Sequence, residues 1–270
     1  MREVIQIGIP CGRNSEYFVE FLISTIEKTT SGNYDIEFLF GINQSGVDQN
    51  FLQNIVTKYP KKFIFSESLT SGPGSSMEHG QLLDLVFSEM DSKYGMMVDC
   101  DVAFVCKSWD EKLLSLLDEK TIIVGTEYGS DQSKFMKNPN CIMSLFLVNE
   151  LKQTGLSWRS RSCNLEITEE NCQIYGREPG EQIFLDTSCE IPPSLYNSNR
   201  SGIAMPLVSP RIDKSKIKFM TEDMRGEEHQ LEGTPILTHI GRGLQRSFLH
   251  DPAVIKWRQR IAEWLRDTKE

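Results

Sequence analysis

A single α/β domain with a mixed, mainly parallel sheet flanked by helices is the fold class that this sequence predicts. Short β-rich runs alternate with helical patterns through the first half, the signature of βα units. At 270 residues the chain is within reach of one large α/β domain closed by a C-terminal helical extension. Its 39% hydrophobic and 25% charged residues are average for a globular protein and exclude a disordered or fibrous one.

Taken in order, Val4 to Ile9 predict the first strand. Asn14 or Ser15 is placed to cap a helix whose apolar stripe runs through Tyr17, Phe18, Phe21, Leu22, Thr25 and Ile26. Ile36 to Phe40 read as a strand, Phe51 to Tyr59 as a helix stopped by Pro60, and Phe63 to Phe65 as a third short strand. Helical spacing returns from Glu78 to Met90, and Gly95-Met96-Met97-Val98 then runs as a buried strand into Asp99. Trp109 to Leu117 predicts a short helix, and Thr121 to Val124 and Cys141 to Val148 predict strands. Residues 151–210, polar and rich in Pro, Ser, Asn and Gly, predict long loops with short elements. Pro235 to Ile240 resumes a strand, and Asp251-Pro252 opens a closing amphipathic helix through Val254, Trp257, Ile261, Trp264 and Leu265.

A net charge of −9 argues against nucleic acid as a partner, since gripping a phosphate backbone needs a basic surface. The seven cysteines are odd in number, lack a CxxC pair and partly sit in apolar runs, which predicts reduced thiols. The N-terminal residues lack the long apolar run of a secretory signal, and no stretch of about 18 apolar residues predicts a transmembrane segment. The expectation is a cytoplasmic protein.

The strongest chemical signal is MMVDCDVAF, in which Asp99 and Asp101 end a buried apolar strand. Carboxylates there are costly without compensation, and a divalent cation such as Mn²⁺ or Mg²⁺ supplies it, with an anionic phosphate filling the remaining coordination positions. In open α/β sheets, ligands bind beyond the carboxyl ends of strands. Late in the chain, Thr238-His239-Ile240-Gly241-Arg242 brings a lone histidine to a strand end, a candidate third ligand, with Arg242 and Arg246 as candidates for gripping a diphosphate. Within GEQIFLDTSCEIP, Glu181, Asp186 and Glu190 are carboxylates able to take a proton, and Asp186, following Ile183-Phe184-Leu185, is the foremost general-base candidate. His79 is a further candidate for ligand contact, and Trp158 and Tyr196 are aromatic candidates for stacking against a ligand ring.

These features, in this order, resemble a GT-A glycosyltransferase of the broad family-2-like kind, a Rossmann-like fold with a DxD motif. Residues 4–26 resemble its opening strand, Pro-containing nucleotide loop and following helix. IEFLFGINQSG, residues 36–46, resembles the second strand and the base-reading loop, and residues 79–104 resemble the helix and strand that carry the DxD. The resemblance implies transfer of a sugar from a nucleotide-sugar donor to a glycan or other hydroxyl acceptor, with Mn²⁺ (or Mg²⁺) as cofactor. It further implies metal contacts from Asp99, Asp101 and His239, and donor contacts from Pro10, Cys11, Arg13, Asn43, His79, Asp99 and Arg242. Asp186 or Glu181 would be the catalytic base. The implied division is a GT-A domain over 1–245, with a nucleotide half at about 1–105 and an acceptor half at 106–240, then a C-terminal helix over 246–270.

Other classes share parts of this pattern. A haloacid-dehalogenase-like phosphatase also uses a DxD after an apolar strand, although its motif normally opens the chain. A GT-A scaffold could bind nucleotide or glycan without transferring sugar, and a nucleotidyltransferase would require a glycine-rich opening loop that is absent here.

Overall fold

The core is founded on Val4–Cys11 (β1), a strand buried at every position but its first, as a parallel strand covered on both faces requires. In this computed structural model, which describes residues 2–12, 14–43, 47–59, 63–66, 76–127, 139–159, 163–169, 172, 177–185, 191–210, 213–241 and 250–267, β1 lies between two parallel neighbours. These are Asp35–Asn43 (β2) and Tyr94–Val98 (β4), and β2 pairs onward with Phe63–Ser66 (β3). Beyond β4 come Met143–Leu147 (β7), Thr121–Thr126 (β6) and Ser201–Met205 (β10), completing seven strands in the order β10-β6-β7-β4-β1-β2-β3. Among the described strands of this sheet only β7 runs antiparallel to its neighbours, so the sheet is mixed and mainly parallel.

Helices cover both faces. Val19–Thr29 (α1), Gln49–Lys58 (α2) and Trp109–Leu114 (α4) pack Leu22, Ile23, Phe51, Ile55 and Trp109 against one side. Ser76–Glu89 (α3), Val148–Gln153 (α5) and Ile191–Asn197 (α6) pack Leu83, Val86, Phe87, Leu151 and Leu195 against the other. The close approach of α3 depends on two glycines. A Cβ at Gly8 would stand 2.4 Å from Val86 Cγ1, and one at Gly41 would stand 2.7 Å from Val86 Cγ2. Without side chains there, α3 settles on the strands, and its position carries His79 to the site described below.

A second sheet is antiparallel, in the order β11-β12-β13-β5. Its strands are Leu207–Val208 (β11), Glu227–Leu231 (β12), Thr234–His239 (β13) and Val102–Phe104 (β5). The Phe104 N–H donates to Thr25 Oγ1 at 3.1 Å, tying β5 to α1. A separate hairpin joins Cys163–Glu166 (β8) to Gln182–Leu185 (β9).

The expected closing helix is Pro252–Asp267 (α7), with the Asp251 carboxylate accepting from the Ala253 N–H at 2.9 Å as an N-cap. As its amphipathic stripe predicts, α7 lays Val254, Trp257, Ile261 and Leu265 on Phe18, Ala103, Val105 and Ile240. Its Trp257 Nε1 donates to Thr238 Oγ1 at 2.9 Å.

Several expectations are corrected. Asn14 is left-handed, with φ 67°, and makes no side-chain cap; a 3₁₀ turn at Ser15–Tyr17 precedes α1, and Tyr17 is 46% exposed instead of joining the apolar stripe. Residues 151–210 do hold the expected short elements, and the strands among them find partners distant in sequence that local periodicity does not reveal. Trp158 is not a sugar platform. It is completely buried, with its ring centroid 6.1 Å from Phe87 and 6.0 Å from Phe146. Among the described residues, Cys11, Cys100, Cys106, Cys141 and Cys172 form no disulfide, and no helix is long and apolar enough to cross a membrane.

Trp158→Ala is expected to cost about 3–5 kcal/mol of stability, as for other large-to-small changes at buried aromatics. Urea denaturation checks this; a loss under about 1 kcal/mol would show that the indole is not a core group.

Candidate metal and nucleotide site

Strand β4 ends at Val98, and three residues later β5 begins in the other sheet, so Asp99-Cys100-Asp101 is the bridge between them. The bridge is pinned on both sides. The Asp99 N–H donates to the Ile142 carbonyl at 2.8 Å, and the Ile240 N–H donates to the Asp101 carbonyl at 3.2 Å. Pairing of His239 with Val102 then brings the end of β13 against the bridge. Asp101 is 4% exposed and His239 is 8% exposed, both too buried to be merely solvated charges.

The resulting side-chain geometry is compact. His239 Nε2 lies 3.3 Å from Asp101 Oδ1, and one ligand atom from each of Asp99, Asp101 and His239 falls within 4.8 Å of the others. His79, brought in by α3, places Nε2 3.2 Å from Asp99 Oδ1, although the contact lacks hydrogen-bond geometry and that carboxylate oxygen is buried without a hydrogen bond. Two carboxylates and an imidazole, with a buried oxygen left unsatisfied, fit a divalent cation of the Mn²⁺ class.

Glu227 and His229 of β12 complete the surroundings and were not singled out in the sequence. Glu227 pairs with His239 across the β12–β13 ladder, and its Oε2 lies 3.6 Å from His239 Nδ1. Burial works against an imidazolium at His239, but Asp101 first and Glu227 after it outweigh burial and raise its pKa well above the usual histidine value. At His229, burial wins and pushes the pKa down to about 3. Of the chain's four histidines, His79 and His239 thus stand at this bridge, and His229 lies beside His239.

The carboxyl ends of β2, β1 and β4 lie side by side, so Asn43, Pro10, Cys11 and Asp99 share one edge of the large sheet. Cys11 is corrected as a side-chain contact. Its thiol is fully buried in the core, and burial, with Glu16 adding to it, pushes its pKa up, leaving only main-chain contact open at this position. Glu181 is exposed beside β9 and lies 3.7 Å from Arg177 in an ion pair, with no contact to the Asp99–Asp101 bridge among the described residues. Arg13, Asp186, Glu190, Arg242 and Arg246 lie outside the described residues.

No family model matches the chain, and no curated protein matches it. Over part of its length it is similar to solved glycosyltransferases. A mannosyltransferase from Pyrobaculum calidifontis, solved with GDP-Man and Mn²⁺, has a TM-score of 0.41 and 12% identity over 58% of this chain and 48% of that one. TarS from S. aureus, residues 1–349 with UDP, has a TM-score of 0.42 and 17% identity over 58% of this chain and 50% of that one. The bifunctional glycosyltransferase WbbM reaches a TM-score of 0.46 at 9% identity over 75% of this chain and 39% of that one. The chain therefore spans about half or less of the length of these structures, and the functional reading is carried by the geometry of the bridge.

The His239 ion pair has a pH signature. A histidine whose folded pKa is raised stabilises the fold fully below its unfolded value of about 6.5 and loses that contribution as pH rises through the folded value. Without metal, the stability advantage of the wild type over His239→Gln is expected to be largest in mild acid and to narrow toward alkaline pH. Thermal unfolding of both proteins in chelator across pH measures it; an advantage that grows with pH contradicts the assignment.

Proposed function

We propose that this chain is a metal-dependent glycosyltransferase that moves a sugar from a nucleotide-sugar donor to an acceptor hydroxyl. The observation that carries this reading is the convergence of Asp99, Asp101 and His239 at the bridge beyond the carboxyl end of a central strand. Asp101 and His239 would hold the cation directly, with Asp99 reaching either the cation or the donor ribose. When bound, a divalent cation supplies Lewis-acid neutralisation of the charge on a departing nucleoside diphosphate.

The protein's own groups would do the rest. Asn43 and the main chain at Pro10 and Cys11, sharing the edge with Asp99, would seat the nucleoside, with Arg13 and Arg242 as further donor contacts. His79 beside Asp99 would orient that carboxylate. Asp186 remains the proposed general base, with Glu181 the alternative, taking the acceptor hydroxyl proton as the oxygen attacks the anomeric carbon. In this reading residues up to about 105 form the donor half of one domain, and residues 106–240 form the acceptor half.

A native-state ligand raises the unfolding midpoint by mass action, equivalent to roughly 2.7 kcal/mol at 100 times its Kd. Among nucleoside diphosphates and nucleotide sugars, one nucleotide class is expected to raise the midpoint only with Mn²⁺ present, and Asp101→Asn is expected to lose that shift while keeping its fold. Equal shifts with and without Mn²⁺, or an unchanged shift in Asp101→Asn, would contradict the metal assignment.

A further inference from the structure

The β12–β13 hairpin turns through Glu232 and Gly233, both with positive φ at 49° and 75°, the backbone of a type I′ two-residue turn. Near the turn the register is regular, with Leu231 opposite Thr234 and Gln230 opposite Pro235. It then slips by one: His229 pairs with Leu237, leaving Ile236 as the extra residue of a β-bulge. The slip decides which side chains meet. With the bulge, Glu227 stands opposite His239, and His229, two residues along, shares that face. In an unbroken register Glu227 would pair with Thr238, and His229 would face away from His239.

The bulge therefore assembles a second cluster. One ligand atom from each of Glu227, His229 and His239 lies within 4.8 Å of the others. His229 is completely buried, and its ring makes no side-chain hydrogen bond, meeting only the main chain of Met205; the Nδ1 of the 8%-exposed His239 has Glu227 Oε2 at 3.6 Å, beyond hydrogen-bond distance. Buried nitrogens rarely stay unsatisfied without a reason, and an ion is one such reason. The Glu227 side chain, 34% exposed, gives the cluster its path to solvent.

We propose that Glu227, His229 and His239 form a second cation site, selective for a borderline metal of the zinc class. Two imidazoles and one carboxylate make a donor set richer in nitrogen than Asp99, Asp101 and His239, and imidazole favours Zn²⁺ or Co²⁺ over Mg²⁺ and Mn²⁺. The two clusters share His239, whose Nε2 faces Asp101 and whose Nδ1 faces Glu227. A neutral imidazole coordinates through one nitrogen and carries its proton on the other. A cation on Nδ1 thus leaves Nε2 as an N–H donor toward Asp101, removing a ligand from the first cluster. Zinc at the second site and manganese at the first are competitive.

Calorimetric titration of the full chain with Zn²⁺, with circular dichroism confirming each variant's fold, tests the proposal without nucleotide or turnover. Zn²⁺ affinity is expected to fall by about ten-fold or more in Glu227→Gln and in His229→Gln and to persist in Asp101→Asn. Should the buried His229→Gln variant unfold, the partly exposed Glu227→Gln decides alone. Co²⁺ bound to the wild type is expected to show the intense visible bands of low coordination number, weakened in Glu227→Gln. Unchanged Zn²⁺ affinity in Glu227→Gln, or loss of Zn²⁺ binding in Asp101→Asn alone, would overturn the proposal. Neither arm depends on the glycosyltransferase reading, so the two can fail separately.

Discussion

Everything at the candidate site depends on one strand changing sheets within three residues. Residues up to Val98 belong to the large parallel sheet, and those from Val102 belong to the small antiparallel one. Neither sheet can continue through Asp99-Cys100-Asp101, so the main chain there is satisfied from outside, by the Ile142 carbonyl on one side and the Ile240 N–H on the other. Two carboxylates are thereby fixed at a seam between packed layers. The same Ile240 contact holds the end of β13 and with it His239.

The supports of that seam come from well separated parts of the chain. Gly8 and Gly41 let α3 lie close enough to bring His79 to Asp99. The α7 helix covers Ala103, Val105 and Ile240 and hydrogen-bonds Thr238, fixing the residue beside His239. Glu228, fully buried, accepts from the N–H groups of Lys218, Phe219 and Met220, which anchors β12 from its other face. Asp101 and Glu227 beside one imidazole raise the His239 pKa, favouring positive charge there, the same electrostatic demand that a divalent cation would meet.

The large sheet was readable because a parallel strand buried on both faces writes itself as an apolar run, and Val4 to Ile9 and Gly95 to Val98 are such runs. Asp99, Asp101 and His239 were readable for the converse reason, as polar groups placed where apolar strands end. Glu227 and His229 were not. Their strand, EEHQL, has no apolar alternation, and their meeting with His239 depends on a bulge at Ile236 that no local pattern encodes. The Glu232-Gly233 pair was the available clue, since it marks a hairpin turn between the two histidines. Trp158 misled in the opposite direction: a polar neighbourhood in sequence suggested a surface aromatic, whereas Phe87 and Phe146 come from elsewhere in the chain to enclose it.

The central claim is that Asp101 and His239 are ligands of one divalent cation at the seam between the sheets. Anomalous diffraction at the manganese edge, from crystals grown with Mn²⁺ and a nucleoside diphosphate, tests it most directly. The account predicts a manganese peak within direct coordination distance of the Asp101 carboxylate and His239 Nε2, with phosphate oxygens on its open side. Manganese bound elsewhere, or nucleotide bound with no manganese at these two side chains, would contradict it.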